Sequence, residues 1–177
     1  MGEVSTRRTV LVAGVLAGIA RLWAPRHGSA AEEVGCAIPP AVATARAEGT
    51  TVESIGHGAP LSTPGHSINL YRFSLPPGGN VPPHRHPGAT LLAVESGALA
   101  YTLLRGTASI QRGTGDEVLS VGTEMILRPG DALFYDADTA HTARNPGKVP
   151  VVVLSVTLLA TDQPATILTD EHGMELT

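Results

Sequence analysis

From residue 51 onward, apolar and polar positions alternate in short runs, and Gly, Pro and Asp clusters cut those runs at close intervals. Leu99, Tyr101 and Leu103 alternate with Ala100, Thr102 and Leu104, the period of a strand with one well-buried face. Arg112-Gly113-Thr114-Gly115-Asp116 and Arg128-Pro129-Gly130-Asp131 are strong turn formers. The pattern predicts strands at 51–55, 67–75, 90–95, 98–104, 107–112, 116–121, 123–128, 131–136, 140–144 and 149–160, and no helix. About ten short strands joined by turns imply an all-β fold, a sandwich or single β-barrel of the jelly-roll kind. Tyr71, Tyr101 and Phe134 are expected in the barrel wall, with Val and Leu doing most of the packing.

The first thirty residues follow a different pattern. Arg7-Arg8-Thr9-Val10-Leu11 opens an apolar run to Ala20, and Gly28-Ser29-Ala30-Ala31 supplies small residues for a peptidase. A basic start, a short apolar stretch and a small-residue site make residues 1–31 a signal peptide. The paired arginines resemble a twin-arginine export signal, which implies a periplasmic or extracellular bacterial protein. The apolar run is too short to span a bilayer, so the mature form is not expected to cross one. Residues 32–50, rich in Ala, Pro and Glu, read as a flexible arm, and 51–177 as the barrel domain. Cys36, in that arm, reads as a bystander thiol, with an intermolecular disulfide the lesser alternative.

Composition narrows the function classes. Loss of Arg7, Arg8, Arg21, Arg26 and Glu3 with the signal leaves 8 basic and 15 acidic residues, a formal charge of −7. Such a chain has no cationic face for nucleic acid. One cysteine excludes an internal disulfide framework and a cysteine-rich zinc module.

The chemistry lies in the histidines. His84 and His86 are one residue apart, so on a strand both imidazoles point to one face, and His141 follows a turn on a distant strand. Two near ligands and one distant ligand suit a metal clamp, and neutral imidazole suits Fe, Ni, Cu or Zn, with a softer claim on Mn. His57, His66 and His172 read as surface or satisfied core residues, and Arg85 as a solvated charge outside the barrel. Pro82-Pro83 stiffens the approach to His84.

Two motif windows resemble the cupin superfamily. Gly78, His84, His86, Thr90 and Gly97 fall in register with the first family motif, and Gly130, Asp136, Asp138, His141 and Asn145 with the second. The resemblance covers roughly residues 66–160 and implies a single cupin jelly-roll barrel with a divalent metal on His84, His86 and His141. Three positions depart from the family pattern. Thr90 replaces a glutamate ligand and is expected at most to hydrogen-bond a ligand from behind. Glu95 has the wrong strand parity to substitute for it. Asp136 and Asp138 replace a proline and a glycine in the loop that delivers His141, where a turn role is the default reading.

Three neutral imidazoles leave a divalent charge uncompensated, which favours anionic or bidentate oxygen ligands. The resemblance implies an oxygen-dependent, dioxygenase-like oxidoreductase acting on a small oxygen-rich molecule. A non-catalytic, metal-dependent small-molecule binding protein and a degenerate barrel that uses metal for stability are the alternatives. An uncovered sheet edge is a reason to form a homodimer.

Overall fold

A computed structural model describes residues 49–177. The signal peptide at 1–31, Cys36 and nearly all of the arm at 32–50 lie outside the described residues. Among the described residues twelve strands run in chain order: β1 (Thr51–Gly58), β2 (His66–Leu75), β3 (Asn80–Arg85), β4 (Gly88–Ser96), β5 (Leu99–Arg105), β6 (Ala108–Arg112), β7 (Gly115–Val118), β8 (Glu124–Leu127), β9 (Ala132–Tyr135), β10 (Ala140–Arg144), β11 (Val151–Ala160) and β12 (Ile167–Leu168). They form two antiparallel sheets, ordered β1-β2-β11-β4-β9-β6-β7 and β12-β3-β10-β5-β8. Strands consecutive in sequence mostly alternate between sheets or skip neighbours, the topology of a jelly roll.

Inward-facing residues of both sheets make one core. Leu75, Leu92, Val94, Val151 and Val153 come from the larger sheet, and Val81, Leu99, Tyr101, Leu103 and Leu127 from the smaller. Among the described residues no helix is long and apolar enough to cross a membrane.

Ten of the twelve strands match the apolar alternation, with ends shifted by up to three residues. The two unpredicted strands are β3 and β12. Pro82 and Pro83 carry no N–H for a ladder, which argues against a central strand at 80–85. The chain accommodates them with a bulge: His141 lies opposite His84 while Ala143 lies opposite Val81, so β3 spends an extra residue there. Thr142 Oγ1 donates to the Val81 carbonyl at 2.6 Å across the irregularity. The bulge also lets Val81 and His84, three residues apart, both face inward.

Phe134 is not barrel wall, contrary to expectation. It is 40% exposed, because Leu133 and Tyr135 on either side take the inward parity of β9. Tyr101, by contrast, is fully buried as expected, and Tyr71 partly so.

Candidate metal centre

His84 is the penultimate residue of β3, His86 lies just past its end, and His141 is the second residue of β10. Antiparallel pairing sets His84 directly opposite His141. The ring centroids of His84 lie 4.3 Å from those of His141 and 4.9 Å from those of His86. One ligand nitrogen from each of the three rings lies within 4.8 Å of the others. Three donors each about 2.1 Å from one ion lie about 3.4 Å apart in tetrahedral geometry, so the rings must draw together to share one ion.

Each ring is held from behind by a main-chain carbonyl. Nδ1 of His84 meets the Pro82 carbonyl at 2.8 Å, that of His141 the Thr139 carbonyl at 3.0 Å, and that of His86 the Ala165 carbonyl at 2.6 Å. A carbonyl only accepts, so each Nδ1 carries the proton and each Nε2 keeps its lone pair for an ion. Burial, and secondarily the nearby His86, push the His141 pKa down to about 3, against a smaller upward effect of its bond to Thr139. The ring is therefore neutral and competent to ligate at ordinary pH. Three pinned imidazole donors fit a divalent ion.

Sequence reasoning missed two parts of this setting. Tyr101 stacks on His141 at 5.0 Å, and Tyr135 packs 4.7 Å from His141 and 6.2 Å from His86. Burial raises the pKa of both phenols, so both stay neutral. The odd parity of β9 around Leu133 was the available indication for Tyr135. Nothing local to His86 points to Ala165, 79 residues away.

Thr90 is fully buried, faces Tyr135 across the β4–β9 pair, and lines the same cavity as the histidines. Glu95 points outward and accepts from Arg72 Nε at 2.9 Å, as its parity requires. His57, His66 and His172 take no part in the cluster.

The loop before β10 is tied to the histidine strand. Asp136 Oδ1 accepts from Ala137 N at 2.8 Å, and Asp138 N donates to the His86 carbonyl at 3.1 Å. Arg85 leaves the barrel as expected, but it is not simply solvated. It ion-pairs with Asp138 and, at 2.7 Å, with Glu175. Asp138 has φ +61°, a left-handed conformation that Asp tolerates better than most residues. Asp138→Ala is expected to cost about 1 kcal/mol, since it adds left-handed strain and removes the Arg85 partner. Asp138→Gly should cost less. Chemical denaturation of both variants checks the order, and equal losses would mean that backbone conformation plays no part.

The histidines close one end of a cavity of about 140 Å³. Among the described residues no Asp, Glu, Lys or Arg lines it. Among the described residues it therefore offers imidazoles, hydroxyls and apolar walls, with no carboxylate placed for acid–base work.

Residues 71–157 match the cupin domain family. Germin-like protein 4-1 of Oryza sativa subsp. japonica is 30% identical over 131 residues, 73% of this chain, and the chain spans 47% of that relative's length. Among solved structures, a cupin 2 domain-containing protein from Halorhodospira halophila aligns with a TM-score of 0.48 at 16% identity, over 71% of this chain and 73% of its own. A salicylate 1,2-dioxygenase from Pseudoaminobacter salicylatoxidans, in complex with gentisate, aligns with a TM-score of 0.43 at 14% identity, over 63% and 25%.

Proposed function

We propose, on the premise that residues 71–157 are a cupin domain, that this chain is an exported metalloprotein holding a divalent ion on His84, His86 and His141. We assign it an oxygen-dependent oxidation of a small, oxygen-rich molecule. One observation carries the reading: three imidazoles converge with every Nδ1 committed to a carbonyl, at the end of a cavity without acidic or basic side chains. Hydrolysis or isomerisation wants a positioned acid or base, and the cavity supplies none. A redox-active ion, when bound, supplies the electron transfer that oxygen chemistry needs. The chain's own part is to fix three neutral ligands and leave positions open for substrate and oxygen. Thr90, beside Tyr135, adds a buried hydroxyl to the polar wall next to the ligands.

The absence of an acid–base pair also favours a second reading, a binding protein that holds its ligand through the metal without turnover. The basic pair Arg7-Arg8, the apolar run and the small residues near position 30 support export. On that reading residues 1–31 are removed, residues 32–50 are an arm and residues 51–177 are the mature barrel.

The test is elemental mass spectrometry of protein produced with Fe, Mn, Ni, Cu or Zn supplied, beside a His84→Ala/His86→Ala variant. Near-stoichiometric redox metal in the parent alone, followed by ligand-dependent oxygen consumption, is the expected result. Metal without oxygen consumption would favour the binding protein. Trace metal in both proteins would overturn the metal centre.

A further inference from the structure

We infer that the ligand of this cavity carries its charge at one end only: a monoanionic, bidentate oxygen group at the histidines and a short uncharged apolar body. The inference rests on the metal-centre reading and specifies what that centre selects. Strand register orders the inward side chains along the barrel. In the larger sheet the row Tyr135–Thr90–Thr157 lies beside the histidines. Two residues along comes Leu92–Ser155, and two further Val94–Val153–Phe73–Val52. The smaller sheet repeats the gradient. His84–His141 gives way to Tyr101–Ala143–Val81, and then to Leu99 on β5. One pole is thus polar and the other hydrocarbon.

Charge strengthens the case. The nearby arginines are all spent outside the barrel: Arg72 on Glu53 and Glu95, Arg85 on Asp138 and Glu175, and Arg144 on Glu124. Among the described residues no cation faces the apolar pole, so a second carboxylate there would be buried unpaired, which is strongly unfavourable. Size sets the remaining limit. An apolar cavity of roughly 150 Å³ accepts benzene; this one measures about 140 Å³ in all, and the chelating head shares it, so the apolar body is smaller than benzene. The Tyr101 hydroxyl, buried without a hydrogen-bond partner at the boundary between the poles, is placed to meet an oxygen of the ligand.

The experiment uses the Cu(II)-loaded protein and follows its visible absorption during titration with lactate, 2-hydroxypentanoate and 2-hydroxyglutarate. These probes share one chelating head. The second adds two methylenes to the first, and the third replaces the terminal methyl of the second with a carboxylate. We expect 2-hydroxypentanoate to bind about tenfold more tightly than lactate. It should bind more than a hundredfold more tightly than 2-hydroxyglutarate. Val52→Lys, at a half-buried position of the edge strand where the lysine stem can lie along the wall, should bring 2-hydroxyglutarate to within about tenfold of 2-hydroxypentanoate. Phe73→Lys, on the paired position of β2, repeats the test should Val52→Lys not fold. Equal affinity for the two five-carbon acids, or no gain over lactate, with copper bound would overturn this inference and leave the metal centre standing. Failure of the unmodified protein to take up copper would overturn both.

Discussion

His141→Ala is expected to lower metal affinity by more than about 100-fold, a larger loss than removal of a group that merely orients a ligand, which costs about 10- to 100-fold. His141 is 4% exposed, lies directly opposite His84, and is held by the Thr139 carbonyl between Tyr101 and Tyr135. Alanine leaves two imidazoles on one short segment and, among the described residues, no third donor within reach, because Glu95 faces outward and no carboxylate lines the cavity. The tyrosines cannot compensate while burial keeps their phenols protonated. Competition with a metallochromic chelator, run on both proteins at pH 7, measures the change. A loss below tenfold would mean that His141 is not a ligand.

The same ring sets an acid limit on the metal-free barrel. Its folded pKa, about 3, lies below the unfolded value near 6.5. The unfolded chain therefore takes up this proton first as pH falls. Stability from neutral His141 is complete above pH 6.5 and is lost progressively toward pH 3. Metal-stripped His141→Ala should show a flatter stability profile across that window.

The histidines could be found in the sequence because strand parity is a local rule. Two residues at i and i+2 need no knowledge of the fold to share a face, and the turn before His141 announces a new strand. Their support could not be found that way. The carbonyl that pins His86 comes from a segment with no strand pattern, and the strand carrying His84 contains two prolines that the parity rule reads as a break. There the bulge at Pro82–Pro83 decides, and a bulge is visible only once β10 supplies its register. Phe134 shows the opposite failure. Its hydrophobicity argued for the core, whereas the parity of its neighbours places it outside. Motif glycines were legible as spacing but not as cause. Gly97 has φ +77°, and a Cβ there would lie 2.6 Å from the Pro150 carbonyl, so the turn from β4 to β5 closes against the start of β11 only with glycine.

Asn145 belongs to the same class, a motif position whose role only the fold explains, and its removal is expected to be the most damaging change away from the histidines. The side chain is 2% exposed and makes three hydrogen bonds. Nδ2 donates to the Leu75 carbonyl at 2.9 Å and the Val149 carbonyl at 2.8 Å, and Oδ1 accepts from Gly147 N at 2.8 Å. These bonds tie the end of β2 to the connection between β10 and β11. The main chain of Asn145 adds two more to that junction, with Gly78 and Gly79. Alanine keeps the main-chain pair and strands the buried Leu75 carbonyl and the part-buried Val149 carbonyl and Gly147 N–H, at about 1 kcal/mol each. Asn145→Ala should therefore lose about 3 kcal/mol, a fall in Tm of roughly 10 °C for a domain of this size. Asn145→Asp should be no better, because its carboxylate would face the two carbonyls that the amide now satisfies. Urea unfolding of the three proteins decides the matter, and a loss under 1 kcal/mol for Asn145→Ala would show that water replaces the amide. His84 lies at the far end of β3 from the residue that pairs with Arg144, so the folded fraction of Asn145→Ala should bind metal as the parent does. A joint loss of stability and metal would instead mean that this junction sets the position of the histidine strand.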